Sequence, residues 1–222
     1  MAERKRPRRT RERILETSLA LMNRFGEPHI TTADIADEMN ISPGNLYYHF
    51  RNKDAIIGEL YDQLEAKLTP LFALPAGRSP DVEDLWFLLH LLFETMWEFR
   101  FFYRDLLELT SRNRRVGLRF AELTRRGEST VIELLRGMVD AKMVVASERE
   151  SRAVAQNVAI VATYWMSFQR TSNPPLPGRP ADDNSHMSLD RAAYQVLALI
   201  APFAVGESRA LIESLGERYF RV

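Results

Sequence analysis

No cysteine occurs anywhere in the 222 residues, which excludes disulfides and thiolate metal sites and leaves the redox compartment open. Histidine is scarce too: His29, His49, His90 and His186 are scattered, without the spacing of a zinc site. No apolar run is long and clean enough to span a membrane. The basic N-terminus lacks an apolar signal region, so a cytoplasmic protein with no membrane partner is expected. No stretch alternates with period two, so no strand is predicted. Internal repeats and low-complexity tracts are missing. So are the glycine-rich phosphate loop, G-x-S-x-G and HExxH. Asp182 and Asp183 sit in a proline-rich loop, and no carboxylate pairs with a nucleophile or base. The chain is therefore not expected to be an enzyme, and no cofactor or metal is expected.

Net charge is absent only as a sum. The 30 basic residues balance the 30 acidic ones, which argues against a general nucleic-acid binder. Yet Arg4, Lys5, Arg6, Arg8, Arg9, Arg11 and Arg13 face only Glu3 and Glu12. This start is predicted to be a basic arm, suited to lie along phosphates or to enter a minor groove.

What is present is helical periodicity throughout, and 222 residues suffice for one or two domains with a sizeable core. Ile14, Leu15, Ser18, Leu19, Met22 and Phe25 stripe a first helix, capped by Thr10 and ended by Gly26. The segment TTADIADEMNISPGNLYYHFRNK (31–53) then reads as two short helices around a tight turn. Thr31 or Thr32 caps the first; Ile35, Ala36 and Met39 share its inner face. Asn40 tolerates the left-handed conformation a sharp turn needs. Ser42 caps the second helix and Pro43 suits its first position. Leu46 and Phe50 face inward, which leaves Gly44, Asn45, Tyr47, Tyr48 and His49 on or near the outer face.

That layout is a helix-turn-helix, whose second helix enters the DNA major groove. Gly44 permits close backbone approach, Asn45 matches an adenine edge, Tyr47 and His49 suit phosphates, and Lys53 adds a point charge. The expected DNA-binding set is Thr32, Pro43, Gly44, Asn45, Tyr47, Tyr48, His49 and Lys53. The run SPGNLYYHFRNK closely resembles the TetR-type transcriptional regulators, over roughly residues 10 to 55. Ala33 departs from the founding member, which has a base-reading arginine there. Base reading is thereby left to the third helix and the arm.

The resemblance implies an all-α fold. A three-helix DNA-binding domain (1–52) precedes a helical ligand-binding and dimerisation domain (53–222), whose two final long helices pair with a symmetry mate. It also implies double-stranded operator DNA as partner and a repressor released by a small effector. The stripes predict helices from Lys53 to about Leu74, two over 81–111 breaking near Phe99, one over about 115–142, and one opened by the Ser147–Glu150 capping box and running to about Arg170. Its apolar face is expected to include Asn157 and Phe168. Residues 171–187 are expected to be a loop, with Ser188 capping a last helical stretch whose apolar face includes Leu211. Trp86, His90, Phe93, Trp97, Arg100 and Tyr103 are the expected ligand set, with Arg104 a further candidate for a polar head. The segments WFLLHLLF and FFYRDL look similar to family members that regulate polyhydroxyalkanoate or fatty-acid metabolism. That likeness implies an acyl thioester or fatty-acid-like effector. A helical scaffold that binds protein and not DNA is the competing reading.

Overall fold

The computed structural model describes residues 7–173 and 186–219. It is all-α, as expected. The helices are α1 (Pro7–Phe25), α2 (Thr32–Glu38), α3 (Pro43–His49), α4 (Lys53–Leu68), α5 (Val82–Glu98), α6 (Arg100–Arg104), α7 (Leu106–Arg112), α8 (Arg114–Asp140), α9 (Glu148–Ser172), α10 (His186–Ile200) and α11 (Gly206–Arg218). Short 3-10 turns occupy Glu27–His29, Thr69–Phe72 and Ala201–Phe203. Among the described residues the β pairing consists of a single bridge between Val144 and Ala204.

The first three helices form as their sequences direct. Thr31 caps α2 in a full capping box: its hydroxyl accepts from the Asp34 N–H, and the Asp34 carboxylate accepts from the Thr31 N–H at 2.7 Å. The Thr31 hydroxyl also donates to that carboxylate at 2.7 Å, and this bond, with the backbone one second, holds the Asp34 carboxyl below the usual carboxylate range. Asn40 takes the turn at a φ of 52°. Ser42 caps α3 by accepting from the Asn45 N–H, and Pro43 opens the helix. Ile35, Ala36, Leu46 and Phe50 meet Ile14, Leu15 and Met22 of α1 in one buried core.

Several boundaries differ from expectation. Helix α1 starts at Pro7, so Thr10 lies inside it, and Arg8 and Arg9 of the expected arm are already helical. Arg4, Lys5 and Arg6 lie outside the described residues. Helix α4 stops at Leu68 and not near Leu74. Pro70 lacks an N–H to continue the ladder, and the chain tightens into a 3-10 turn. The 81–111 region holds three helices, with breaks at Phe99 and at Asp105. Ser188 sits within α10, and Asp182 and Asp183 lie outside the described residues. Asn157, Phe168 and Leu211, expected on apolar inner faces, are exposed. The inner positions of α11 are Ile212 and Leu215.

Helices α8 and α9 pack along each other, and α10 lies against α9 and α5. Glycine on α8 marks close crossings. A Cβ at Gly137 would sit 2.5 Å from Pro80 Cδ, and one at Gly117 2.8 Å from the Thr110 carbonyl oxygen. Helix α4 joins the two halves. Arg119 of α8 pairs with both Asp62 and Glu65 on it and lies over the Tyr61 ring.

Candidate nucleic-acid interface and interior cavity

Helix α3 presents one side to solvent. Pro43, Gly44, Asn45, Tyr47 and Tyr48 are exposed, Tyr48 at 79%, and His49 is half-buried with its ring edge-on to Tyr48 at 5.1 Å. Tyr47 and Thr32 are brought together: their hydroxyls lie 3.0 Å apart and brace α2 to α3 across the outer face. A Cβ on Gly44 would meet only the Ser42 hydroxyl, at 4.0 Å. Nothing inside the chain demands glycine there, although it costs about 1 kcal/mol of helix propensity against alanine.

Lys53 is placed differently from the expected free charge. Its ammonium donates to the carbonyls of Glu27 (2.8 Å) and Ile30 (2.7 Å) and pairs with the Glu27 carboxylate at 2.6 Å. Three acceptors turned inward explain why it is spent on the fold. Arg51, two residues earlier, is exposed.

The Glu27 side chain is fully buried and belongs to a larger joint between the first three helices and the body. Arg112 of α7 donates to it at 2.7 Å, and that bond raises the guanidinium pKa further. The Glu27 N–H donates to Asp105 at 3.0 Å. Buried Asn23 donates to the Glu98 carbonyl at 2.8 Å and accepts from the Phe101 N–H at 3.1 Å. Arg104 donates to the Asn23 carbonyl at 3.0 Å. Both ends of α6 are thus fastened to the end of α1. The same short helix sends Phe102 against Tyr61 of α4 and Tyr103 against Phe120 of α8.

Tyr103 also lines an interior cavity of about 70 Å³. Its walls come from the end of α4 (Leu68) and the turn after it (Phe72), α5 (Leu88, Leu89, Leu92, Met96), α8 (Phe120, Leu123, Thr124, Gly127, Glu128, Val131) and α9 (Val158, Ala159, Ala162, Thr163). Burial raises the Tyr103 hydroxyl well above its ordinary pKa, so it stays a neutral donor.

Of the expected ligand set, Tyr103 alone lines this cavity. Trp86, His90, Phe93 and Trp97 share another face of α5, turned about 110° from Leu88, Leu89, Leu92 and Met96. Trp86 stacks on His90 at 5.5 Å, exposed His90 lies 3.4 Å from Glu94, and Phe93 is buried. Arg100 lies 4.5 Å over the Trp97 ring and donates to the Trp97 carbonyl. Arg104 is held by Asn23. Helix α5 is apolar nearly all round, and composition does not say which of its sides lines this cavity.

Comparison with known proteins fits this geometry. A family profile described as "Bacterial regulatory proteins, tetR family" matches residues 14–60, and the profile TetR, "Bacterial transcriptional repressor", matches residues 63–212. The chain belongs to the TetR family. It is a DNA-binding transcriptional regulator, and members of this family are regulators and not enzymes. A TetR-family regulator from Marinobacter aquaeolei VT8 is 36% identical, with 95% of this chain and 98% of that one covered and a TM-score of 0.83. The Escherichia coli K12 protein named "Probable acrEF/envCD operon repressor" is 36% identical over 55 residues, which is 25% of this chain and 25% of that protein. A putative regulator from Saccharomonospora viridis, solved with choline, shares 17% identity at a TM-score of 0.63 over 87% of this chain and 96% of that one. It shows the fold alone.

Among the described residues of this TetR-family chain, no helix is long and apolar enough to cross a membrane, and no group of side chains could hold a metal ion. Two features escaped sequence reasoning. Thr124, Gly127 and Glu128 fall on the same α8 stripe as Phe120, Leu123 and Val131; polar residues inside an apolar stripe were the available signal. The joint around Asn23 and Glu27 left no signal, because its partners lie about 75 to 85 residues away.

Proposed function

We propose that this chain is a homodimeric repressor, acting in the cytoplasm, that a small and largely apolar effector releases from its operator. The observation that carries the reading is the outer face of α3. Gly44, Asn45, Tyr47 and Tyr48 are turned to solvent, and the glycine has no use inside the chain. A base edge at Asn45 and phosphates at Tyr47, His49 and exposed Arg51 match this face. The DNA-binding unit is taken to end near Asn52.

A second copy is supported by α9, which exposes Ile160, Tyr164 and Phe168 one turn apart on one side. Pairing through α9 and α10 would cover that stripe and set two α3 helices for two half-sites. The effector would occupy the cavity lined by Tyr103. A ligand of ordinary size needs about 300 Å³ or more, so it must widen a partly open cavity of about 70 Å³. Tyr103 sits on α6, and α6 is fastened to α1. Displacing it would strain the ties at Asn23 and Asp105 and turn the DNA-binding helices. Coupling of about 1–3 kcal/mol shifts operator affinity roughly 5- to 150-fold. An acyl chain matches the apolar lining. The head of an acyl thioester finds no cation there, because Arg100 and Arg104 are engaged elsewhere.

Asn45→Ala and Tyr47→Ala are expected to abolish operator binding while leaving the melting temperature within a few degrees of wild type. Wild-type affinity in both variants, measured by fluorescence anisotropy, would refute the assignment of α3 as the reading helix.

A further inference from the structure

The interior cavity is chemically lopsided. Its walls are aliphatic and aromatic, and the charged side chain among them is a carboxylate, Glu128. Among the described residues no lysine, arginine or histidine contributes to the lining. The two arginines just before Glu128 on α8, Arg125 and Arg126, both pair with Glu122. Glu128 is half-buried and makes no ion pair among the described residues. Thr124, one turn away, donates its hydroxyl to the Phe120 carbonyl at 3.0 Å and so adds little new polarity.

A half-buried carboxylate beside an apolar cavity repels an anion and attracts a cation, more strongly than at an open surface because water is partly excluded. The Phe120, Phe72 and Tyr103 rings lie in the same walls and offer faces that favour a cation. Gly127 has no side chain beside Glu128, and a Cβ there would already touch the Phe72 ring at 3.5 Å.

We propose that the effector is an amphipathic cation, an apolar body carrying a single amine or quaternary ammonium group whose charge is met by Glu128. This rests on the reading of the cavity as the effector site. The apolar body lies among Leu89, Met96, Phe120 and Val131, where a second charge would have no partner. An anionic effector of the same shape is excluded by the same carboxylate.

The test compares three probes with one body and different heads: 4-phenylbutylamine, 4-phenylbutanol and 4-phenylbutyrate. Binding to the full chain is measured by calorimetry, and release of DNA from upstream of its own gene by anisotropy. The amine should bind about tenfold or more tightly than the carboxylate, a gap of about 1.4 kcal/mol. In Glu128→Gln the amine should fall to the level of the alcohol; the alcohol's affinity and the melting temperature report whether the cavity is intact. Equal or tighter binding of the carboxylate overturns the proposal, as does an amine preference that survives Glu128→Gln, or no binding of any probe. Failure of the ligand-free protein to bind the DNA would instead sink the repressor reading, so the two failures are distinguishable.

Discussion

Lys53 and Glu27 show how far one side chain's role depends on its surroundings. By position Lys53 belongs beside the phosphates. In the fold its ammonium is shared between the Glu27 carboxylate and two backbone carbonyls. Glu27 is fully buried, and one of its oxygens has no hydrogen-bond partner in the protein. Such a carboxylate is tolerable only because Lys53 and Arg112 both reach it. Glu27→Ala removes the common acceptor and leaves two cations turned inward. Because both cations keep some solvent contact, the cost should fall somewhat below that of a wholly buried pair, at about 2–3 kcal/mol. Urea denaturation checks this, and a loss under 0.5 kcal/mol would show that the carboxylate is incidental. Neither burial nor pairing was legible in the sequence. Glu27 follows a helix-ending glycine and looks like any solvated loop acid.

Among the elements, α3 and α6 are opposite cases of legibility. Helix α3 was readable because everything that fixes it is local: the cap at Ser42, Pro43 in the first turn, Asn40 in the preceding turn, and Leu46 with Phe50 four apart. Helix α6 is five residues long, and its sequence alone runs on into α7 without a visible break. It is fixed by groups far away in sequence, above all Asn23, which bonds on both sides of the break at Phe99. That tie yields a prediction. Asn23→Ala should still bind operator and effector, but the drop in operator affinity caused by effector should shrink several-fold, since the start of α6 is no longer fastened to α1 and only the ties at Arg104 and Asp105 remain. The variant should also lose about 1–3 kcal/mol of stability from the amide's two lost bonds. Anisotropy titrations with and without effector measure the ratio; an unchanged ratio would mean the signal travels another way, such as along α4.

Across the whole molecule, the helical class was legible in the sequence and the lining of the cavity was not. Periodicity and capping implied helices throughout, and the matched family profiles agree. Trp86, His90, Phe93 and Trp97 of the expected ligand set form a consistent stripe of their own, on a face of α5 that does not line this cavity. Which stripe meets a void depends on how five elements pack, and no single helix encodes that. The exposed apolar stripe on α9 has the same character: Phe168 looks like core until the fold shows it 56% exposed.

On the proposed function, two copies of this chain read one operator through α3. The measurement that tests it most directly is a stoichiometric anisotropy titration with DNA from upstream of its own gene, at two salt concentrations. Saturation is expected at two chains per site, with affinity falling steeply as salt rises because phosphate contacts release counterions. Saturation at one chain per site would contradict the dimeric reading. Binding no tighter than to scrambled DNA of the same length would contradict specific recognition of this site.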